Sequence, residues 1–435
     1  MKKLILFCVL FSLIIPASVF GQDLYFPAPG QDQWEETDPV DLGWDTDLLE
    51  ELIEFIDEGD SRAFIVLVDG KMVVEEYFGD FVRDSVWYWA SAGKSLTAFL
   101  TGMLVSEGLL SVDDPVSDWL GEGWTSAPPE KEELITVENQ LSMTTGLDFD
   151  VEDQNCTLDT CLKYRSDAGT SWYYYNAPYT LIASVLEEAS GQRLNQILFN
   201  RLSTQTGIFG LYVNLDFNRI MFSTPRNFAR FGLLMLAEGY WDGELLMEDR
   251  DYFHQMITPS QDLNPSYGYL WWLNGQDRFI PPEFEHSINS PLAPDAPDDM
   301  YAALGLNGQI LQVIPQYNMV IVRMGEEAGN VPVPFLMNSE IWNYMNRILP
   351  TASELTSTPN CRPTAYPNPS TGLFNLNHLT DCGDFEYRIY GSDGNLVQKG
   401  INETEFDLRN QPAGIYHLEL ISDQGRFTEK LMVVE

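Results

Sequence analysis

β-rich runs bracket the first 350 residues of this chain. Ala63–Val68 and Met72–Phe78 stand near its start, and Gln309–Ile314 and Met319–Met324 stand near the far end of that stretch. Asp69-Gly70-Lys71 joins the first pair, and Asp-Gly suits a tight turn between strands. A turn at 315–318 joins the second pair. Between the pairs the sequence is mostly helical and loop-like, with Tyr269–Leu273 as one more apolar strand. This distribution predicts an α/β fold whose sheet is assembled from distant parts of the chain. Asp45 or Asp47 can cap a helix through Leu48, Leu49, Leu52, Ile53 and Ile56, and Phe335–Leu349 reads as a closing helix.

At 435 residues, 44% hydrophobic and 13% aromatic, the chain can bury a large core and still hold a second domain. Its N-terminus, MKKLILFCVLFSLIIPASVFGQ, sets two lysines before the apolar run Leu4–Ile15 and then small residues. Residues 1–21 therefore read as a secretory signal peptide. The run is too short for a membrane span and is broken by Pro16. No later stretch is long and apolar enough to cross a membrane. The formal net charge of −41 repels nucleic acid and anionic lipid, so neither is an expected partner.

Export permits disulfides. Without Cys8 of the leader, four cysteines remain, which allow three connectivities. The sequence-local pairs Cys156–Cys161 and Cys361–Cys382 are the expectation. His254, His286, His378 and His417 stand at no ligand spacing from a cysteine, so neither a metal nor another cofactor is expected. Residues 22–349 read as the main domain and the Pro/Ser/Thr-rich stretch 350–363 as a linker. Residues 364–435 are a succession of short strands and turns, a small all-β domain.

Ser91-Ala92-Gly93-Lys94 opens a segment in which Leu96, Phe99, Leu100, Met103 and Leu104 recur at the spacing of one buried helix face. Residues three apart project from one side of a helix, so a hydroxyl and an amine would meet in its first turn. The helix start also favours developing negative charge. That combination can make a nucleophile of an inert alcohol. Alone, the tetrapeptide reads more readily as an N-cap serine followed by a solvated lysine. Trp172-Tyr173-Tyr174-Tyr175-Asn176 can place a phenol and an amide in one cleft. Gly305-Leu306-Asn307-Gly308-Gln309 leads into the strand Ile310–Ile314, where glycines permit close approach of backbone or ligand. The aromatic clusters 87–89, 172–175 and 271–272 suit either an acyl pocket or core packing. No Gly-x-Ser-x-Gly elbow occurs, which disfavours a Ser-His-Asp enzyme.

Taken in order and at these separations, the three elements resemble the serine β-lactamase-related hydrolases. That family includes class C β-lactamases, D-alanyl-D-alanine carboxypeptidases, family VIII esterases and 6-aminohexanoate-dimer hydrolases. Leu109–Val116, Gln140–Leu147, Ser223–Gly232 and Tyr267–Trp272 are similar to the same family. The resemblance implies an antiparallel sheet flanked by helices, with a helical subdomain. It implies Ser91 as nucleophile, Lys94 and Tyr174 as its proton-handling partners, and Asn176 as the group that orients substrate or lysine. It places the oxyanion hole on the backbone N–H groups of Ser91 and Gln309, with Asn307 and Gly308 beside the substrate. Burial lowers a lysine pKa and a nearby ammonium lowers that of a tyrosine, so the pair can share one proton. Relatives carry Lys-Thr-Gly, or a histidine-containing equivalent, where Leu306-Asn307-Gly308 stands. The missing cation favours a neutral ester or amide substrate over a β-lactam or a peptide C-terminus. The expectation is an exported serine hydrolase acting on a small-molecule ester, amide or peptide-like substrate. The alternatives are a β-lactamase or D-alanyl-D-alanine carboxypeptidase, and a catalytically silent, penicillin-binding-like ligand-binding protein.

The C-terminal region has its own resemblance. Tyr366–Phe374, Tyr390–Val397, Pro412–Tyr416 and Lys430–Val434 are similar in order to a type A sorting domain of the type IX secretion system. That resemblance implies the secretion machinery as a partner and release or attachment at the cell surface.

Overall fold

The computed structural model describes residues 24–30, 33–326, 333–350, 364–366, 370–377, 385–391, 396–422 and 425–433. The leader read at 1–21, most of the linker, and Cys361 and Cys382 lie outside the described residues. The chain forms two compact units that meet between Ile348 and Leu349.

In the first unit, α1 (Thr46–Glu58) begins where the Asp45 carboxylate accepts from the amides of Asp47 and Leu48, and it buries Leu49, Leu52 and Ile56. The hairpin β1 (Ser61–Val68) and β2 (Lys71–Tyr77) follows, then the short β3 (Trp87–Tyr88) and α2 (Gly93–Ser106). Short helices, among them Val116–Leu120, Val137–Leu141, α3 (Asn176–Thr180) and Ile182–Ser190, form a helical region. The hairpin β4 (Gly210–Leu215) and β5 (Asn218–Ser223) and then α4 (Pro225–Leu236) come next. The unit closes with β6 (Trp272–Leu273), β7 (Tyr301–Gly305), β8 (Gln309–Ile314), β9 (Met319–Gly325) and α5 (Phe335–Ile348).

Six strands make one antiparallel sheet in the order β2-β1-β9-β8-β7-β6. Its centre joins β1 to β9, so the two ends of the domain meet there, as the sequence predicts. Every residue of β7, β8 and β9 is buried, because helices cover both faces. Adjacent strand residues point to opposite faces. Leu311 packs at Gly232 of α4, while the neighbouring Gln312 carboxamide accepts from the Trp342 indole at 2.9 Å and donates to Asn338 of α5.

Two strand assignments need correction. Of Tyr269–Leu273 only the last two residues are strand; Leu270 has a φ of 60°, which breaks the run. Strand β7 is not legible in the sequence, since Ala302 and Ala303 carry little β signal.

In the second unit, β10 (Thr364–Tyr366), β11 (Leu373–Asn377) and β14 (Glu405–Asp407) make one sheet, in the order β10-β11-β14. The other sheet runs β13-β12-β15-β16, from β12 (Phe385–Gly391), β13 (Leu396–Ile401), β15 (Gly414–Ser422) and β16 (Gly425–Val433). Phe385, Tyr387 and Ile389 alternate inward and share a core with Phe374, Phe406 and Leu418.

Candidate active site

Ser91 lies in a single 3-10 turn, Ala90–Ala92, that runs straight into α2. It therefore stands one step ahead of the α-helix rather than inside its first turn. Ala90 holds a φ of 47°, a left-handed conformation that a non-glycine residue adopts only under constraint. The constraint comes from Trp89. Its amide donates to Met221 O at 2.8 Å, its indole N–H donates to Ser223 Oγ at 2.8 Å, and its ring is buried against Phe228 and Phe231. From the sheet side, β7 presses on the same turn at Gly305. A Cβ at that position would lie 2.4 Å from Trp89 O and 3.0 Å from Ala92 N. Only glycine allows this approach, so the strand edge and the serine turn are packed backbone to backbone.

Lys94, in the first turn of α2, places Nζ 2.9 Å from Ser91 Oγ and donates to it. The lysine is 5% exposed, and its amine lies 4.4 Å from the ring centre of Tyr179 and 5.1 Å from that of Tyr174. Burial pulls its pKa from 10.5 down to about 7. An amine that is about half neutral at pH 7 can take a hydroxyl proton along the existing hydrogen bond.

Tyr174 is the third side chain of the site, a buried phenol close enough to Ser91 for that hydroxyl to influence its pKa. Its ring stacks on Trp272 at 5.8 Å and meets Tyr267 edge-on at 6.2 Å. Burial pushes the phenol well above its ordinary value, against a smaller downward pull from the Ser91 hydroxyl. This corrects the expectation of a lowered tyrosine: Tyr174 carries its proton throughout the neutral range, and Lys94 is the group poised to accept one.

The Tyr174 segment is positioned by the buried stretch Gln140–Leu147. Tyr173 N donates to Met143 O at 3.1 Å, and Gln140 Nε2 donates to Pro178 O at 2.8 Å. Of the aromatic clusters, Trp89 and Trp271 are core residues with no exposed surface. Trp272 stacks on Tyr174, Trp172 packs edge-on against Trp272 and Tyr267, and Trp172 also borders a cavity of about 440 Å³ with Phe149, Leu263 and Ile280.

Asn176, the first residue of α3, does not turn its amide nitrogen to Lys94. That nitrogen donates to Asn155 Oδ1 at 3.1 Å. Asn307 has a φ of 62°, which asparagine tolerates, and its side chain donates to the Tyr88 hydroxyl at 2.7 Å. Gln309 is fully buried, and its Nε2 donates to Asn307 O at 2.9 Å and to Gly325 O at 2.7 Å. Cys156 and Cys161 form a disulfide with an S–S distance of 2.03 Å.

Sequence reasoning missed two residues of the site. Tyr179, over the Lys94 amine, sits three residues past Asn176 on the same helix, a spacing that places both on one side. Arg323 is the lone charge in the otherwise apolar strand β9. It is fully buried and reaches the third element from below: Nη1 donates to Gly308 O at 2.7 Å and to Asn307 O at 3.1 Å.

Residues 54–341 match the Beta-lactamase family, and residues 364–434 match the secretion system C-terminal sorting domain. The chain belongs to the Beta-lactamase family, whose members are usually serine hydrolases, and it ends in a type IX sorting domain, so it is secreted or attached to the cell surface. It is 23% identical over 320 residues to the 6-aminohexanoate-dimer hydrolase of Paenarthrobacter ureafaciens, covering 63% of this chain and 75% of that one. A solved structure of a candidate 6-aminohexanoate-dimer hydrolase from Bacillus anthracis shares the fold, with a TM-score of 0.54, 19% identity, and coverage of 68% of this chain and 80% of that one. A penicillin-binding protein homologue from Caulobacter crescentus does so with a TM-score of 0.55, 14% identity, and coverage of 73% and 99%.

Proposed function

We propose that this protein is an exported serine hydrolase that cleaves ester or amide bonds through an acyl-Ser91 intermediate. The observation that carries the reading is the 2.9 Å contact between Ser91 Oγ and a buried amine whose pKa lies at about 7. Neutral Lys94 takes the Ser91 proton as Oγ attacks the substrate carbonyl. The developing oxyanion lies against the backbone N–H groups of Ser91 and Gln309, two donors together worth several kcal/mol. Tyr174, still a phenol, donates its proton to the departing oxygen or nitrogen and is reprotonated by the Lys94 ammonium. Water then attacks the acyl group, with the Lys94 amine again as base, and free Ser91 is restored.

Substrate charge follows from the third element. The Asn307 side chain is committed to Tyr88, and the Arg323 guanidinium is committed to main-chain oxygens. Neither offers a cation to a substrate carboxylate, so neutral esters and amides are the expected class. The kcat/KM for a neutral p-nitrophenyl ester is expected to rise about tenfold per pH unit below about 7 and to level off above it, as Lys94 loses its proton in the free enzyme. A profile that falls through the same range would mean that the ammonium is the active form, and would contradict the assignment of Lys94 as base. Turnover of a chromogenic cephalosporin faster than of short esters would favour a β-lactamase instead.

A further inference from the structure

Lys94 becomes an ammonium each time it takes the Ser91 proton, and that charge forms on a side chain only 5% exposed. A buried charge is costly unless something balances it. Among the described residues the amine has one hydrogen-bond partner, Ser91 Oγ at 2.9 Å, and no carboxylate. That oxygen enters a covalent bond as the reaction proceeds, which makes it a poorer acceptor. What remains is aromatic: the amine lies over the ring of Tyr179, 4.4 Å from its centre, and over that of Tyr174 at 5.1 Å. The face of such a ring is negative and attracts a cation within about 6 Å of its centre. Tyr179 is the closer of the two, and it has no part in the proton transfers assigned to Tyr174.

Tyr179, on α3, is held against the helix that carries the amine. It lines a small void with Thr97, Tyr212 and Arg219. Thr97 lies on α2, three residues past Lys94; its hydroxyl donates to Gly93 O at 3.3 Å and sits 3.1 Å from the hydroxyl of Tyr212 on β4. Burial raises the Tyr179 phenol to about 12, against smaller downward pulls from the Thr97 hydroxyl and the Arg219 charge. The other charged and titratable groups around the amine are engaged elsewhere. Arg219, on β5, pairs with Glu187 at 2.9 Å and donates to Ser184 Oγ at 3.2 Å, while Glu188 is exposed. Tyr267 meets Tyr174 edge-on, Tyr252 donates to Ala98 O, and Tyr301 of β7 donates to Met235 O. Burial holds all these phenols above their ordinary range, so Lys94 is the one member of the set that changes charge near neutrality.

We propose that Tyr179 is a positioning residue that stands in for a counter-ion: its ring face holds the ammonium that Lys94 becomes when it takes the Ser91 proton. The inference rests on the hydrolase reading, with Lys94 as base, and adds to it the group that makes the protonated base tolerable in a buried site.

The pH profile of kcat/KM for a neutral p-nitrophenyl ester, taken on the full-length protein, tests this. In the wild type the acid limb has its midpoint at about 7. A ring face that attracts the ammonium favours the protonated form, so weakening that face moves the midpoint down. Pentafluorophenylalanine introduced at position 179 keeps nearly the same ring shape and reverses the charge of its face. It is expected to lower the midpoint by about one pH unit. Tyr179→Leu, which removes the face, is expected to lower it as well. Tyr179→Phe, which keeps the face and drops only the hydroxyl, is expected to retain the wild-type midpoint. Thermal melts verify folding, and the fluorinated ring keeps the test open if the leucine variant does not fold. If Tyr179 only fills space, the smaller leucine admits water to the amine and the midpoint rises toward that of an ordinary lysine. That rise, or an unmoved midpoint in the fluorinated protein, would overturn the proposal and leave the hydrolase reading intact. If the wild-type protein turns over no ester, or its profile has no acid limb, the reading of Lys94 as base falls and this one falls with it.

Discussion

Replacing Lys94 by methionine is expected to lower kcat/KM by about 10³–10⁴-fold and, at the same time, to make the protein more stable. The two effects have one cause. Burial takes the Lys94 pKa from 10.5 to about 7. Between those values the unfolded chain binds a proton that the folded chain does not, so stability rises with pH across that window. Below about 7 the folded protein must keep the buried ammonium, and the penalty is fully present. At neutral pH it amounts to about 4 kcal/mol. Methionine fills about the same space without the charge. Part of the gain is offset by the lost Lys94–Ser91 hydrogen bond, leaving a net of about 2–3 kcal/mol. Calorimetry at pH 7 and pH 9 checks the prediction. The variant should melt several degrees higher at pH 7, and the gap should narrow at pH 9. A variant that melts lower at both pH values would show that Lys94 is not held as a strained base.

The second large effect is expected at Arg323. Its Nε donates to Ser61 Oγ at 2.8 Å, its Nη1 to the carbonyls of Asn307, Gly308 and Glu326, and its Nη2 to Gly59 O. One side chain thus ties together the end of α1, the start of β1, the end of β9 and the turn that precedes Gln309. The packing is close: a Cβ at Gly308, where φ is 75°, would lie 1.8 Å from Nη1. Arg323→Met leaves several buried carbonyls without donors, each worth about 1–3 kcal/mol. A total loss of about 3–5 kcal/mol is expected, in line with removal of one member of a buried charged network. Arg323→Lys should recover only part of it, because an ammonium cannot span the same fork of acceptors. Urea midpoints of the two variants check this; a loss below about 1 kcal/mol for Arg323→Met would contradict the role given to the guanidinium.

Much of this architecture is legible in the sequence because it rests on local chemistry. Asp45 announces α1 by capping it, Asp69-Gly70 announces the β1–β2 hairpin, and alternating inward residues announce strands such as β12. The Ser91–Lys94 pair is legible because its spacing is short and helical. What is not legible depends on contacts between distant segments. The Ala-rich β7 becomes a strand only because β8 supplies its partner and Gly305 lets it reach the serine turn. The rise in the Tyr174 pKa could not be read from neighbours in the chain, because burial by Trp272 and Tyr267 brings it about.

The central claim is that the hydroxyl at position 91 becomes covalently acylated with Lys94 as the base. Intact-protein mass spectrometry after rapid acid quench of a p-nitrophenyl ester reaction, followed by peptide mapping, tests it most directly. One acyl group is expected on the peptide containing Ser91 in the wild-type protein, and none on that peptide in Ser91→Ala or, on the same timescale, in Lys94→Met. Steady ester turnover that survives Ser91→Ala, or an acyl group mapped to another residue, would contradict it.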